Sequence, residues 1–200
     1  LRLNTTGNAN VAVGVVALSA NTTAVDNTAV GYNSLGANTT GDRNTALGRN
    51  SLASNVDGDR SVAVGYDALS NQDPASNVDM YNVGVGYAAG AAITTGTSNT
   101  LIGGLAGDAI TTANSNVAVG YNSASSTTTG ENNTVVGRSA LTANTTGQRN
   151  TAVGAFALDA NSTGSTNTAV GISALGANTT ASNNTAVGHN ALDANTTGAN

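Results

Sequence analysis

The chain has 200 residues, of which 39% are hydrophobic and only 8% are charged, with a formal net charge of -5 at pH 7. Ala and Val supply most of the apolar residues, because the chain contains one Phe, one Met, five Tyr and no Trp, so any interior must be narrow. The acidic balance and the six scattered Arg argue against a nucleic-acid partner, and the lack of Cys excludes disulfides and thiolate metal sites. The longest apolar run, 11–18, is too short to cross a bilayer, so we expect no membrane insertion.

A glycine that closes the tripeptide Ala-Val-Gly or a close variant recurs along the whole chain, and we call it the anchor glycine. The anchors are Gly14, Gly31, Gly48, Gly65, Gly86, Gly103, Gly120, Gly137, Gly154, Gly171 and Gly188. They recur with a constant 17-residue period, except for one 21-residue step between Gly65 and Gly86. A fixed period of this length is typical of a solenoid, so we predict an all-β, parallel β-solenoid or β-roll of about eleven coils. Residues 1–200 form one repeat array, which we expect to be a fragment of a longer array.

Three columns of residues precede the anchor in every coil, and we name each after its commonest member. The Val column lies one residue before the anchor and the Thr column three before, and neither contains a polar residue other than Thr. This β-branched, period-two pattern predicts a short strand whose Val and Thr columns share a buried face. The Ala column, two before the anchor, is also never polar. Because it points to the opposite side of the strand, we expect a second copy of the chain to cover it.

The second half of each coil carries the Leu column, four residues after the anchor. Its Leu members are Leu18, Leu35, Leu52, Leu69, Leu141, Leu158, Leu175 and Leu192. In two coils Gly90 and Gly107 replace this Leu, and in the same coils Ile93 and Ile110 replace the usual Asn three residues later. The paired exchange predicts that both positions fill one interior volume. The following Asn-Thr-Thr or Ile-Thr-Thr segment predicts a second short strand in each coil, closed by a glycine turn.

An Asn recurs four residues before most anchors, and we call these positions the Asn column. Its members include Asn27, Asn44, Asn99, Asn116, Asn133, Asn150, Asn167 and Asn184. Coils stacked about 4.8 Å apart would align these side chains as an amide ladder. The Asn-Thr-Thr segments also fit the N-glycosylation sequon, but regular stacking is the preferred interpretation of the spacing.

The 21-residue step contains the only proline, and we assign residues 71–81 as a loop insertion in one coil. An incidental surface loop and a binding loop are both compatible with it. The variable positions one and two residues after the anchor, and at the end of each coil, are predicted to be exposed turns.

Few residues are candidates for a catalytic, metal-binding or phosphate-binding site. His189 is the only histidine and stands at a variable turn, without an acid at ligand spacing. Asp42, Asp57 and Asp59 fall close together in adjacent coils and would form either a calcium site or an edge paired with Arg. The Gly-Gly-Leu-Ala-Gly run at 103–107 lacks the Lys of a phosphate loop. We therefore assign no catalytic, cofactor-binding or metal residues, no cofactor, and no enzymatic activity.

Four tyrosines share the position directly after the anchor, namely Tyr32, Tyr66, Tyr87 and Tyr121. Rings in one register are either simple rim residues or a surface on which sugars stack.

The units Asn-Thr-Ala-Val-Gly, Asn-Val-Ala-Val-Gly and Ser-Val-Ala-Val-Gly resemble the head repeats of YadA-like trimeric autotransporter adhesins. They are equally similar to β-solenoid repeats of bacteriophage tail fibre proteins, and the resemblance covers essentially the whole chain. It implies a left-handed roll, three chains side by side and attachment to surfaces. The adhesin heads tend towards coils that are shorter than the period of this chain.

Together these features predict a structural or adhesive segment of an extracellular fibre, located on a cell surface or virion. We expect the chain to form a homo-oligomer, most simply a trimer, with a host-surface glycan or protein as a further partner. Two alternatives remain open, namely an ice-binding (antifreeze) solenoid and a glycan-binding, tailspike-like module. The ice-binding alternative depends on the paired threonines, whose first members are Thr22, Thr39, Thr94, Thr111, Thr128, Thr145, Thr179 and Thr196.

Overall fold

The computed structural model describes residues 1–198, so the last two residues of the predicted 1–200 array lie outside it. Within that range the chain forms an all-β solenoid with eleven three-residue strands and no helix. The strands are β1 (Val11–Val13), β2 (Thr28–Val30), β3 (Thr45–Leu47), β4 (Val62–Val64), β5 (Val83–Val85), β6 (Thr100–Ile102), β7 (Val117–Val119), β8 (Thr134–Val136), β9 (Thr151–Val153), β10 (Thr168–Val170) and β11 (Thr185–Val187).

All eleven strands belong to one parallel sheet in which each strand pairs with the strand of the next coil. The strands are in register, since Ala29 pairs with Ala46 and each anchor tripeptide pairs with its counterpart. The 21-residue step does not disturb this register, because Val62 pairs with Val83 and Val64 with Val85. The predicted parallel β-solenoid with one coil per sequence repeat is therefore confirmed.

Each coil has one strand rather than the two that the sequence predicts. The Asn-Thr-Thr segments still bond to the next coil through the backbone, as the amide of Thr22 donates to the carbonyl oxygen of Thr39 at 3.2 Å. The amides of Thr39 and Thr40 both donate to the oxygen of Val56, at 3.0 and 3.3 Å. Two donors on one acceptor interrupt the regular ladder of a strand, so this segment bends instead of extending.

The strand faces are the reverse of the predicted arrangement. The Ala column is fully buried from β2 to β10, whereas the residues of the Val and Thr columns are half-buried or exposed. Period-two alternation correctly placed Val and Thr together on one face, but that face points outwards. So short a coil leaves room inside for methyl groups and one Leu, and the smallest side chain of the strand therefore lies inside.

The interior is a narrow stack built from the Ala column, the Leu column and the small residue that precedes each Leu. Leu35, Leu52, Leu141 and their equivalents from Leu18 to Leu175 have no exposed surface, as predicted. These Leu residues adopt positive φ, 52° at Leu141 for example, a region that costs an ordinary residue about 1 kcal/mol. Burial of the Leu side chain, at about 2 kcal/mol, offsets that strain.

The predicted exchange of Leu for Gly plus Ile is confirmed. Ile93 and Ile110 are fully buried. A Cβ atom on Gly107 would lie 2.8 Å from Cδ1 of Ile110 and 2.8 Å from Cδ2 of Leu101, so those two side chains occupy the space of the missing Leu. Leu101 stands in the Ala column, which shows that one large strand residue also contributes to the repacking.

The Asn column forms the predicted amide ladder. The side chain of Asn133 donates to the carbonyl oxygen of Gly147 at 3.0 Å, and its Oδ1 accepts the backbone amide of Asn150 at 3.0 Å. The same two bonds repeat along the solenoid, for instance from Asn27 to Gly41 and from Asn44 back to Asn27. Because the column is buried, each amide group replaces water as the partner of turn backbone groups.

A second buried ladder, which the sequence analysis missed, follows the asparagines of the Asn-Thr-Thr segments. Asn161 donates to Oδ1 of Asn144 at 3.1 Å and to the carbonyl oxygen of Gly164 at 3.0 Å. Burial makes the sequon asparagines of this ladder from Asn21 to Asn178 inaccessible to a glycosylating enzyme in the folded state, whereas Asn4 is exposed. Their recurrence at the spacing of the anchors, interrupted by Gln72, Ile93, Ile110 and Thr127, was the available signal.

The insertion at 71–81 is only partly a surface loop. Pro74 and Met80 are buried and pack beside Gly58, while Asp79 pairs with Asp59 in a parallel bridge and forms an ion pair with Arg60. Gln72 is also buried. Its side chain accepts a hydrogen bond from the hydroxyl of Ser61, which stands in the Asn column, and donates one to Oδ1 of Asn55 in the second ladder. Gln72 thereby connects the two amide ladders in this coil. The inserted segment therefore covers the side of the solenoid.

Candidate functional site

The outward side of the sheet carries the Val and Thr columns, and we call this surface the outward face. It consists of two parallel rows of side chains on eleven strands that are in register. In the Val column the exposed members range from 39% exposure at Val136 to 70% at Val187, and the others are half-buried. The Val column is thus a continuous row of partly exposed apolar side chains along the sheet.

The Thr column contains seven Thr and four Val, and it lies beside the Val column on the same face. Within residues 1–198 the side-chain hydroxyls of Thr28, Thr45 and the other Thr of this column make no hydrogen bond to the chain. The first members of the paired threonines differ, because hydroxyls such as those of Thr22 and Thr94 donate to a carbonyl oxygen of the next coil, at 3.1 and 3.2 Å. Free hydroxyls therefore lie both on the outward face and on most second members of the pairs, such as the exposed Thr23, Thr95 and Thr112.

The rim column, directly after the anchor, forms one edge of the outward face. Its four Tyr are exposed, from 43% at Tyr66 to 60% at Tyr87. The rings of Tyr66 and Tyr87 are stacked, with centroids 5.7 Å apart. The guanidinium carbon of Arg49 lies 5.3 Å from the ring centroid of Tyr32 and 5.7 Å from that of Tyr66. The predicted common register of the tyrosines is therefore confirmed.

The three acids considered for calcium have partners within the chain. Asp59 accepts the backbone amide of Asp42 at 2.7 Å, and Asp42 accepts that of Val25 at 2.7 Å. Asp57 accepts the hydroxyl of Thr40. No group of three or more acidic or His side chains in the described residues is arranged to hold a metal ion. These carboxylates act as hydrogen-bond acceptors between coils.

The remaining candidates have structural positions. His189 is exposed on the rim column. In the run 103–107, Gly103 is an anchor and Gly107 belongs to the Leu column, so its glycines serve the turn and the core. The part of the chain that the structure describes contains no helix long and apolar enough to cross a membrane.

Asp108, directly after the run 103–107, lies in an environment that is unfavourable for an ionised carboxylate. Its Oδ1 is buried and has no hydrogen-bond partner. Burial raises the pKa of the Asp108 carboxyl above its ordinary value, and a hydrogen bond from its own backbone amide opposes part of this shift. Relative to the unfolded chain, folding therefore favours the protonated carboxyl, so the ionised carboxylate lowers the free energy of unfolding at neutral pH.

We expect Asp108→Asn to raise the free energy of unfolding at neutral pH by about 1 kcal/mol or less, since the carboxyl is only half-buried. The gain should shrink as the pH falls through the raised pKa of the wild-type carboxyl, because the wild type then becomes neutral too. Urea unfolding at several pH values measures this difference. Asp193, at the equivalent position of the last coil, is exposed, so Asp193→Asn is the control. A gain that is independent of pH would contradict the assignment.

The chain matches no family model, and no curated protein or solved structure shows significant similarity to it.

Proposed function

We propose that the chain is a structural segment of an extracellular fibre, in which three copies associate through their outward faces. The observation that supports this proposal is the Val column, a row of half-buried and exposed apolar side chains that runs the full length of the sheet without a charged residue. Packing against another copy would remove these side chains from water, at about 25 cal/mol for each Å² of apolar surface. The second copy is thus proposed on the Val and Thr side, while the Ala column, where the sequence had placed it, forms the interior.

A regular solenoid suits a rigid shaft, because each coil is bonded to its neighbours along the whole perimeter. The variable, exposed rim column would then supply contacts to other surfaces, as in an adhesin head or a tail fibre. The proposed location is accordingly a cell surface or virion. The proposal gives the chain no catalytic role, and a surface glycan or protein stays a predicted further partner.

The size of the outward face sets the expected strength of association. Eleven strands at about 4.8 Å and three residues at about 3.3 Å give a face of roughly 50 by 10 Å, or about 500 Å². Stable interfaces bury about 800 Å² per partner. We therefore expect this segment to form trimers that dissociate on dilution, and longer arrays to associate more tightly because each coil adds one row.

Val136→Glu tests this interface. In a trimer the substitution would bring three carboxylates together in an apolar contact, so we expect a monomer at concentrations where the wild type is trimeric. The fold should persist with a loss of about 1 kcal/mol or less, because Val136 is 39% exposed in the single chain. Sedimentation velocity gives the mass, and circular dichroism checks the fold.

Val78→Glu is the matched control, because Val78 is exposed in the insertion and away from the outward face. It should associate like the wild type. Monomeric wild-type protein at every accessible concentration, or an unchanged trimer in Val136→Glu, would refute the proposed assembly.

A second candidate function is ice binding by the same face. The observation in its favour is the row of free Thr hydroxyls on a regular, in-register sheet, with one Thr or Val in each coil. Association and ice binding would need the same surface, so a trimer could not bind ice through it. The oligomeric state of the protein in the assay therefore distinguishes the two functions. Thermal hysteresis shown by the monomer and abolished by Val136→Glu would favour ice binding, whereas its absence in a trimeric protein would favour the fibre.

A further inference from the structure

The rim column contains two consecutive triplets with the same spacing. The first is Tyr32, Arg49 and Tyr66, and the second is Tyr87, Gly104 and Tyr121. Both are held in register by equivalent backbone bonds between coils, since the amide of Asn50 donates to the oxygen of Tyr32 at 2.9 Å and that of Leu105 to the oxygen of Tyr87 at 2.9 Å. The two triplets thus present their outer tyrosines at the same separation, two coils apart.

In the first triplet the space between the tyrosines is filled. The guanidinium of Arg49 lies within cation–π distance of both Tyr32 and Tyr66, at 5.3 and 5.7 Å from the ring centroids. The first triplet therefore shows that two rim tyrosines can hold a planar cation between their rings when one coil lies between them.

In the second triplet the same space has no side chain of its own, because residue 104 is glycine. A Cβ atom at Gly104 would lie 3.6 Å from the Tyr121 ring, so the ring leans over the glycine, and apart from the adjacent residues 103 and 105 no other residue approaches that Cβ within 4 Å. Tyr87 stacks on Tyr66 of the preceding coil, so the ring face that this stacking leaves free is on the side of the following coil, which carries Gly104. Tyr87 and Tyr121 are also the two most exposed tyrosines of the rim column.

We propose that the slot formed by Tyr87, Gly104 and Tyr121 binds the guanidinium group of an arginine side chain from a partner polypeptide. Three features favour this ligand over a sugar or an ammonium. The equivalent position of the first triplet already holds a guanidinium between two tyrosine rings. A planar guanidinium stacks on aromatic faces, whereas an ammonium is a compact, strongly hydrated charge. The formal net charge of -5 favours a cation. This site does not depend on the fibre assembly.

The test is an NMR titration of protein with isotope-labelled tyrosine, using N-acetyl-arginine amide as the probe. Single Tyr→Phe variants assign the ring signals. We expect saturable shifts at Tyr87 and Tyr121 with a dissociation constant in the millimolar range, because exposed cation–π contacts are individually weak. Tyr32 should not respond, since Arg49 fills its slot. N-acetyl-lysine amide at equal ionic strength should bind several-fold more weakly, and methyl glucoside should leave both rings unaffected.

Two substitutions exchange the roles of the slots. Gly104→Arg reproduces the first triplet in the second, is sterically permitted, and should weaken probe binding at Tyr87 about tenfold or more through loss of both ring contacts. Arg49→Ala should open the first slot, so that Tyr32 begins to respond to the probe. Equal shifts at all tyrosines, unchanged binding in Gly104→Arg, or a response to the glucoside in place of the arginine probe would overturn the proposal.

Discussion

Gly120→Ala is expected to destabilise the solenoid by about 3 kcal/mol or more, although it adds only one methyl group. Gly120 adopts φ of +135°, which side chains rarely permit. Its Cβ would lie 2.6 Å from the carbonyl oxygen of Gly137 and 2.7 Å from its carbonyl carbon, both in the backbone of the next coil. Backbone atoms cannot change rotamer as a flexible side chain can, so the steric clash is relieved only if the two coils move apart.

Gly104→Ala provides the control for that experiment. Gly104 also faces the next coil, but its added Cβ would meet only the Tyr121 ring at an ordinary distance of 3.6 Å. We expect a change of about 0.5 kcal/mol or less. Urea unfolding followed by circular dichroism compares the two variants. Equal stability of both would show that the close approach of the anchor glycines does not hold the coils together.

Asn133→Ala is expected to lower the free energy of unfolding by about 2 kcal/mol, since a buried group left without a partner costs about 1 to 3 kcal/mol. The substitution leaves the backbone amide of Asn150 without its acceptor. The carbonyl oxygen of Gly147 loses one of two donors and keeps the side-chain amide of Asn144, at 3.1 Å. Water cannot reach the Asn150 amide within the stack without opening a turn.

Asn71→Ala is the matched change outside the ladders, since the Asn71 side chain is exposed. It should alter the free energy of unfolding by about 0.5 kcal/mol or less. Hydrogen exchange adds a local measurement, because the Asn150 amide should lose protection in Asn133→Ala before distant strands do. An Asn133→Ala protein as stable as Asn71→Ala would mean that the amide ladder contributes nothing measurable to the free energy of unfolding.

Much of this architecture could be predicted because its constraints repeat. The regular recurrence of the anchor predicted the parallel stacking, the strand before each anchor and the Asn ladder, and the structure confirms all three. The exchange of Leu for Gly107 plus Ile110 was also predictable, since two coupled substitutions in one coil indicate a shared volume. The first three features are contacts between a residue and its counterpart one coil away, so periodicity alone reveals them. The exchange lies within one coil and is visible as a coupled departure from that periodicity.

By itself the sequence determined the pitch of the solenoid and which side chains share a face, whereas the tertiary structure decided which face is inside. Alternation along a strand is symmetrical, so Val and Ala columns fit either side equally well. The width of the closed coil breaks that symmetry, because its interior accommodates Ala beside one Leu and leaves Val and Thr outside. The candidate surface depends on this outcome. The apolar face open to another molecule is the β-branched one, and its position follows from how little space each short coil encloses.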